Sequence, residues 1–136
     1  MAYAEGTRVP FNQTKGEIEK LVRKVGATKF GVLEEEDRAT ILFTLTDRHI
    51  RFVLPLNPNY TDQVRRSRWR ALMLVIKAKL ESAVASIETV EEAFLAQVVM
   101  PGGRTVYEES REIIRDRYLT GDEIPLLPPP RGGDYG

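Results

Sequence analysis

The chain has 136 residues, of which 42% are hydrophobic and 29% are charged, the proportions of an ordinary globular domain. This composition excludes a collagen-like repeat, a coiled-coil rod and a chain that is disordered throughout. The sequence has no cysteine and a single histidine, His49, which excludes disulfides, thiolate metal sites, cysteine nucleophiles and sites built from several histidines. The longest apolar run, Leu72–Ile76, is far shorter than the roughly 18 residues of a membrane span. We therefore expect one globular domain, without a membrane partner.

The formal net charge of zero conceals a gradient along the chain. Residues 1–46 hold seven acids and seven bases, residues 47–80 hold two acids and eight bases, and residues 81–136 hold eleven acids and five bases. The three segments therefore carry net charges of 0, +6 and −6. Between Gln63 and Leu80 the sequence contains no acid. A basic segment thus precedes an acidic carboxy-terminal half.

The first predicted element is a helix over residues 15–25. The pattern Thr14-Lys15-Gly16-Glu17 has the spacing of a capping box, in which threonine and glutamate side chains bond to backbone amides at a helix start. Four apolar residues then recur at helical spacing, and Gly26 is placed to end the helix in a left-handed conformation. The four residues are Ile18, Leu21, Val22 and Val25.

The apolar period then changes from 3.6 to 2, which is typical of strands. We predict strands over 29–33, 38–45 and 49–54, joined by an acidic turn at 34–37 and a tight turn at 46–48. One face of these strands is aliphatic and aromatic, whereas the other mixes polar side chains with Leu42 and Val53. The sequence therefore predicts an antiparallel meander with one face in the core.

Three helices follow the strands. Thr61 or Asp62 caps a helix to about Ser86, Thr89 starts a capping box for a helix through Val99, and Thr105 starts one that Gly121 ends. The apolar stripe of the first of these helices comprises Trp69, Leu72, Met73, Ile76, Leu80, Ala83, Val84 and Ile87. From residue 125 onward, closely spaced prolines predict an extended tail.

The predicted order is α-β-β-β-α-α-α. It indicates an α+β fold, a three-stranded antiparallel meander with helices packed on one face. We expect a single domain over residues 1–124 and a Pro-rich extended tail over residues 125–136.

No residue set has the pattern of a catalytic or metal site. The acids Glu34 to Asp37 are consecutive at a turn and lack the spacing of a calcium loop. Asp47 and His49 have no nucleophile at a fixed position beside them. The loop at 101–105 could hold an anion on free amides, but it lacks the spacing and the lysine of a phosphate-binding loop. We expect no enzyme activity, no cofactor and no metal.

The strongest functional signal is Arg65-Arg66-Ser67-Arg68-Trp69-Arg70. Arginines clustered without acids favour contact with nucleic-acid phosphates, and an exposed tryptophan could stack on bases. The predicted binding residues are Arg65, Arg66, Arg68, Arg70, Lys77 and Lys79, with Arg48 and Arg51 possible additions. A helical projection places Arg66, Arg70 and Lys77 on one flank of the apolar stripe, and Arg68 and Lys79 on the other.

Two other interpretations of these cations stay open. They could form salt bridges with the acidic half, within the chain or between subunits of a homo-oligomer, or they could dock on an acidic protein surface. Trp69 lies within the apolar stripe, which favours a core position for its ring.

Several segments resemble small uncharacterised proteins of tailed bacteriophages and prophages. They lie mainly in the basic helix and in the two regions after it, and they comprise 68–72, 74–81, 94–96 and 101–106, with weaker similarity at 50–56 and 126–128. The resemblance implies a phage origin and carries no activity or catalytic residue with it.

The sequence thus predicts a phage-encoded, non-enzymatic accessory protein in the host cytoplasm that binds DNA or RNA phosphates through the basic helix. The alternative is a protein that binds a host protein, such as a polymerase or a defence component, or that self-assembles through its opposed charged segments. A site that holds a nucleotide without cleaving it is a further option.

Overall fold

The computed structural model describes residues 2–121, with side chains from Asn12 onward. The elements in chain order are α1 (Ala2–Lys24), β1 (Lys29–Glu34), β2 (Arg38–Leu45), β3 (Arg48–Pro55), α2 (Asp62–Val84), α3 (Val90–Ala93), a short 3-10 helix (Leu95–Gln97) and α4 (Val106–Thr120). This order confirms the predicted α+β class. The predicted tail over 125–136 lies outside the described residues.

The three strands form one antiparallel sheet in the order β1-β2-β3. The core face of the sheet is buried, and its members are Ala39, Ile41, Phe43, Leu45, Ile50, Phe52 and Leu54. On the opposite face Leu33, Leu42 and Val53 are exposed. The helices therefore cover one face only, as the alternating sequence pattern predicts.

The core joins the sheet to residues from every flanking segment. α1 contributes Ile18 and Val22, and both side chains are fully buried. The ring of Phe94, from the segment after α3, lies edge-on to Phe43 and Phe52 with centroids 5.8 and 6.1 Å away. Aromatic pairs favour this edge-to-face geometry. The chain after α3 is thereby fixed against the sheet.

Threonine caps fix the starts of the later helices. Thr61 accepts from the Val64 amide at the start of α2, and complete capping boxes at Thr89 and Thr105 start α3 and α4. Gly121 ends α4 in the left-handed conformation, with φ 75°. These four signals were predicted and are confirmed.

The predicted start of the first helix is wrong. α1 begins at Ala2, and the Thr14–Glu17 pattern lies inside it. A threonine hydroxyl within a helix can bond to a carbonyl one turn earlier, so the same residues are compatible with a helix interior.

The predicted helix through Val99 is also wrong. α3 ends at Ala93, and Val98 and Val99 are extended, bridging to Ile50 and Thr105. Both valines are β-branched and fit a strand-like pairing, and packing of this segment against β3 overrides the helical periodicity.

The apolar stripe of α2 is shorter than predicted. Its buried members are Trp69, Leu72, Ile76 and Leu80, whereas Val84 and Ile87 are 70% and 79% exposed. The helix therefore leaves the core after Leu80.

Candidate nucleic-acid interface

The buried stripe of α2 orients its basic residues toward two different neighbours. Lys77 lines a cavity of about 340 Å³ together with Leu21, Lys24 and Val25 of α1. We call the side with Arg66, Arg70 and Lys77 the α1 flank. The opposite side, with Arg68 and Lys79, contacts the end of β3 and the end of α3 and is called the β3 flank. The predicted division of these five residues between two flanks matches the structure.

On the β3 flank both cations are hydrogen-bonded to backbone carbonyls. The Arg68 Nε donates to the Pro55 carbonyl oxygen at 2.8 Å, and its guanidinium carbon lies 5.6 Å from the Tyr60 ring centroid. The Lys79 Nζ donates to the Ala93 carbonyl oxygen at 2.9 Å. These two side chains are half-buried and connect elements of the fold, so at least one donor of each head group is already used within the protein.

Two further predicted cations pair with the acidic half of the chain. Arg48 Nε lies 2.6 Å from a Glu91 carboxylate oxygen. Arg51 donates to Glu108 and, at 2.8 Å, to the Gly103 carbonyl. The internal salt-bridge interpretation therefore holds for Arg48 and Arg51.

The Glu108 carboxylate binds two donors. It accepts from the Thr105 backbone amide at 2.8 Å and from the Arg51 guanidinium. The hydrogen bond from the Thr105 amide, helped by the Thr105 side chain and by Arg51, holds the pKa of Glu108 below its ordinary value and outweighs the opposing effect of burial. Glu108 therefore stays ionised while it caps α4 and binds Arg51.

Arg65 stands apart from the other arginines of the cluster. It is half-buried and lines a depression of about 210 Å³ with Glu34, Glu35, Arg38 and Trp69. The acidic turn therefore reduces the positive potential around Arg65, which faces away from both flanks.

The α1 flank contains three cations of α2 that have no polar partner among the described residues. Within residues 12–121, the side chains of Arg66, Arg70 and Lys77 make no hydrogen bond and no ion pair; Arg70 and Lys77 are exposed and Arg66 is half-buried. At 1.5 Å rise per residue, Arg66 to Arg70 spans about 6 Å of the helix axis and Arg70 to Lys77 about 10 Å. They form a positive ridge on one side of α2.

Lys24 extends this ridge and was not predicted. It lines the same cavity as Lys77, with Glu81 as an acidic neighbour. In the sequence Lys24 belongs to the basic last turn of α1, where lysines complement the helix dipole. Lys24 was not predicted because the sequence does not show that α1 and α2 pack side by side in parallel, which brings Lys24 close to Lys77.

Trp69 belongs to the core. Its side chain is 2% exposed, and the Lys15 Nζ lies 5.4 Å from the ring centroid. The ring is therefore inaccessible for stacking on nucleic-acid bases.

The remaining sequence candidates have local structural roles. The His49 Nδ1 lies 3.0 Å from the Thr44 hydroxyl across the sheet. Arg104, which precedes α4, donates to the Glu108 carbonyl in the first turn of that helix. Residues 12–121 contain no cluster of three or more potential metal ligands, and none of the described helices is long and apolar enough to cross a membrane.

Comparison of the chain with protein-family models, with curated proteins and with solved structures finds no match. The functional argument therefore rests on the placement of the cations described above.

Proposed function

We propose that this is a small phage-encoded, non-enzymatic accessory protein of the host cytoplasm that binds nucleic-acid backbone through the α1 flank of α2. The observation that carries the proposal is the set of three cations on one helix flank that find no partner among the described side chains. Its binding residues are Arg66, Arg70 and Lys77. Phosphates are the partner that such an exposed ridge attracts, because each neutralised phosphate releases a counterion.

The binding site is narrower than the eight residues of the sequence prediction. Arg48, Arg51, Arg68 and Lys79 are engaged inside the molecule, and Arg65 faces acids. The three ridge residues include no aromatic ring and no side-chain amide or carboxylate that would recognise particular bases. Binding at this ridge is therefore independent of base sequence.

The number of phosphate contacts sets the salt dependence of the affinity. Three contacts on duplex DNA predict a loss of roughly 40-fold between 50 and 200 mM salt, from a slope of about −0.9 per phosphate. Eight contacts would predict a loss of roughly 20,000-fold over the same range. The slope of log affinity against log salt therefore shows whether the three cations of the α1 flank or all eight predicted cations contact phosphates.

The test is fluorescence anisotropy of labelled DNA and RNA, single- and double-stranded, with the purified protein at the two salt concentrations. The variant Arg66→Glu/Arg70→Glu should abolish binding of duplex DNA. A charge-matched comparison uses the single ridge variant Arg70→Glu and its control Lys29→Glu, which makes the same charge change at an exposed position of β1. Equal binding by wild type and the ridge variant would overturn the proposal, as would equal losses in the two single variants.

A second candidate function is binding of a host protein. An apolar groove of about 540 Å³ lies beside the β3 flank, lined in part by Leu54, Tyr60, Val64 and Val75. Apolar grooves with a polar rim are typical of protein and ligand sites.

Self-assembly through opposed charges would instead be seen in light scattering as an oligomer that dissociates when salt is raised.

A further inference from the structure

Helix α4 has three adjacent stripes with different chemistry. The inward stripe is Val106, Ser110, Ile113 and Arg117, of which the first two are buried and the others half-buried. One position earlier, an acidic stripe contains Glu109, Glu112 and Asp116. One position later lies what we call the tyrosine stripe: Tyr107, Arg111, Ile114 and Tyr118. The acids and the tyrosines therefore stand on opposite sides of the buried stripe.

The tyrosine stripe is open. Tyr107 is 55% exposed and Tyr118 is 88% exposed, and neither side chain makes a hydrogen bond or ring contact with the described residues. The stripe borders a shallow depression of about 440 Å³, to which Arg115 and Leu119 also contribute. Two aromatic rings thus flank a basic, apolar surface.

Charge makes this surface complementary to an anion. Arg111 is exposed within the stripe, and Arg115 adds a second guanidinium at its rim, where Asp116 at 3.8 Å is its only charged contact among residues 12–121. Glu109 and Glu112 of the acidic stripe lie on the other side of the buried stripe, away from the tyrosine rings. An anionic partner with flat apolar groups would therefore satisfy both parts of the surface.

A second copy of the chain fits less well. Antiparallel packing of two tyrosine stripes about Ile114 would bring Arg111 of one copy near Arg115 of the other, and like charges at such an interface oppose pairing. A nucleic acid meets no such repulsion.

We propose that the tyrosine stripe of α4 binds single-stranded nucleic acid, with bases stacked on Tyr107 and Tyr118 and phosphates on Arg111 and Arg115. The inference rests on the proposed function and adds a preference for single strands. Tyr107 and Tyr118 are separated by roughly 16 Å along the helix axis, so the two rings would stack on different bases of one strand. A duplex cannot offer its base faces to the rings, so only single strands gain from stacking.

The experiment measures the affinity of wild type, Tyr118→Ala and Tyr118→Phe for a labelled oligothymidine strand and for a duplex of equal length. Tyr118→Ala should weaken single-strand binding by roughly 5- to 150-fold, the range for loss of one stacked base, and leave duplex binding unchanged. Tyr118→Phe keeps the ring and should bind the single strand as wild type does. An equal effect of Tyr118→Ala on both nucleic acids, or none on the single strand, would overturn the inference.

Two further arms separate the possible failures. The ridge variant Arg66→Glu/Arg70→Glu should lose duplex binding yet retain single-strand binding that depends on Tyr118; duplex binding that survives in this variant contradicts the proposed function alone. Poly-glutamate should compete poorly for the stripe. Competition equal to that of oligothymidine, or a protein dimer that Tyr118→Ala dissociates, would show that the occupant is an acidic protein or a second copy and would overturn the inference.

Discussion

Arg68 and Arg70 are two residues apart on one helix, yet they have opposite surroundings. Arg68, on the β3 flank, is bonded to the Pro55 carbonyl and lies over Tyr60, whereas Arg70, on the α1 flank, is exposed and makes no polar contact with residues 12–121. Side-chain chemistry is identical. The neighbouring backbone decides which cation is structural and which is available to a partner.

The difference follows from where each neighbour has free carbonyls. Pro55 ends a strand and Ala93 ends a short helix, and carbonyls at the ends of elements have no partner within the element. On the other side, the carbonyls in the body of α1 are bonded within the helix, and at its end the Val22 and Arg23 carbonyls accept from the Ala27 and Gly26 amides. The α1 flank therefore leaves its cations without acceptors.

Replacing Trp69, which lies between the two flanks, should have the largest effect on the stability of the fold. Trp69→Ala should lower the free energy of unfolding by about 3–5 kcal/mol, the cost of truncating a large buried aromatic side chain. Urea denaturation followed by circular dichroism measures this. A loss under 1 kcal/mol would show that the ring is not part of the core.

The lysines of the two flanks should respond differently to removal of their charge. Lys79→Met loses a hydrogen bond to Ala93 and should lower the free energy of unfolding by about 1–2 kcal/mol. Its matched control, Lys77→Met, should change it by less than about 0.5 kcal/mol. The same denaturation experiment compares them, and equal losses would contradict the assignment of Lys79 to the fold.

On the α1 flank the effect of a single charge should appear in binding. Arg70→Gln should reduce the steepness of log affinity against log salt by about 0.9. Between 50 and 200 mM salt, the variant should therefore lose roughly 3.5-fold less affinity than the wild type does. Arg68→Gln should leave the slope unchanged. Anisotropy titrations with duplex DNA measure both, and a changed slope for Arg68→Gln would place the β3 flank in the interface.

The smallest effect concerns the Arg51–Glu108 pair. Because the folded protein holds the pKa of Glu108 below its ordinary value, Glu108 stabilises the fold at neutral pH, and this contribution is lost as pH falls through that lowered pKa. Both groups are partly exposed, so the loss should be within about 1 kcal/mol. Glu108→Gln should lack this acid-side loss, whereas Glu112→Gln should keep it, in denaturation curves recorded at pH 7 and pH 3.

The sequence predicted the elements whose signals are local. Alternating residues placed all three strands, and threonine caps placed the starts of α2, α3 and α4. It failed where distant parts of the chain compete with local preference, as at Val98 and Val99, which pair with other segments. The start of α1 failed because a capping pattern does not exclude a helix interior.

The candidate site was predicted as a charge pattern and not as a surface. Helical projection placed Arg66, Arg70 and Lys77 on one flank, which the structure reproduces. It could not show that Arg68 and Lys79 would meet free carbonyls, because those carbonyls belong to Pro55 and Ala93, which lie in other segments. The tyrosine stripe was not predicted, because the sequence does not show which side of α4 packs against the rest of the protein.

Trp69 is the only tryptophan in the chain and lies between α1 and the acidic turn. Its emission therefore reports a single event, the separation of α1 from α2 with entry of water, and is unaffected by an anion that stays on the outer surface. The five tyrosines include two on the open stripe of α4. The protein thus carries two natural optical labels, one for its integrity and one for occupancy of its surface.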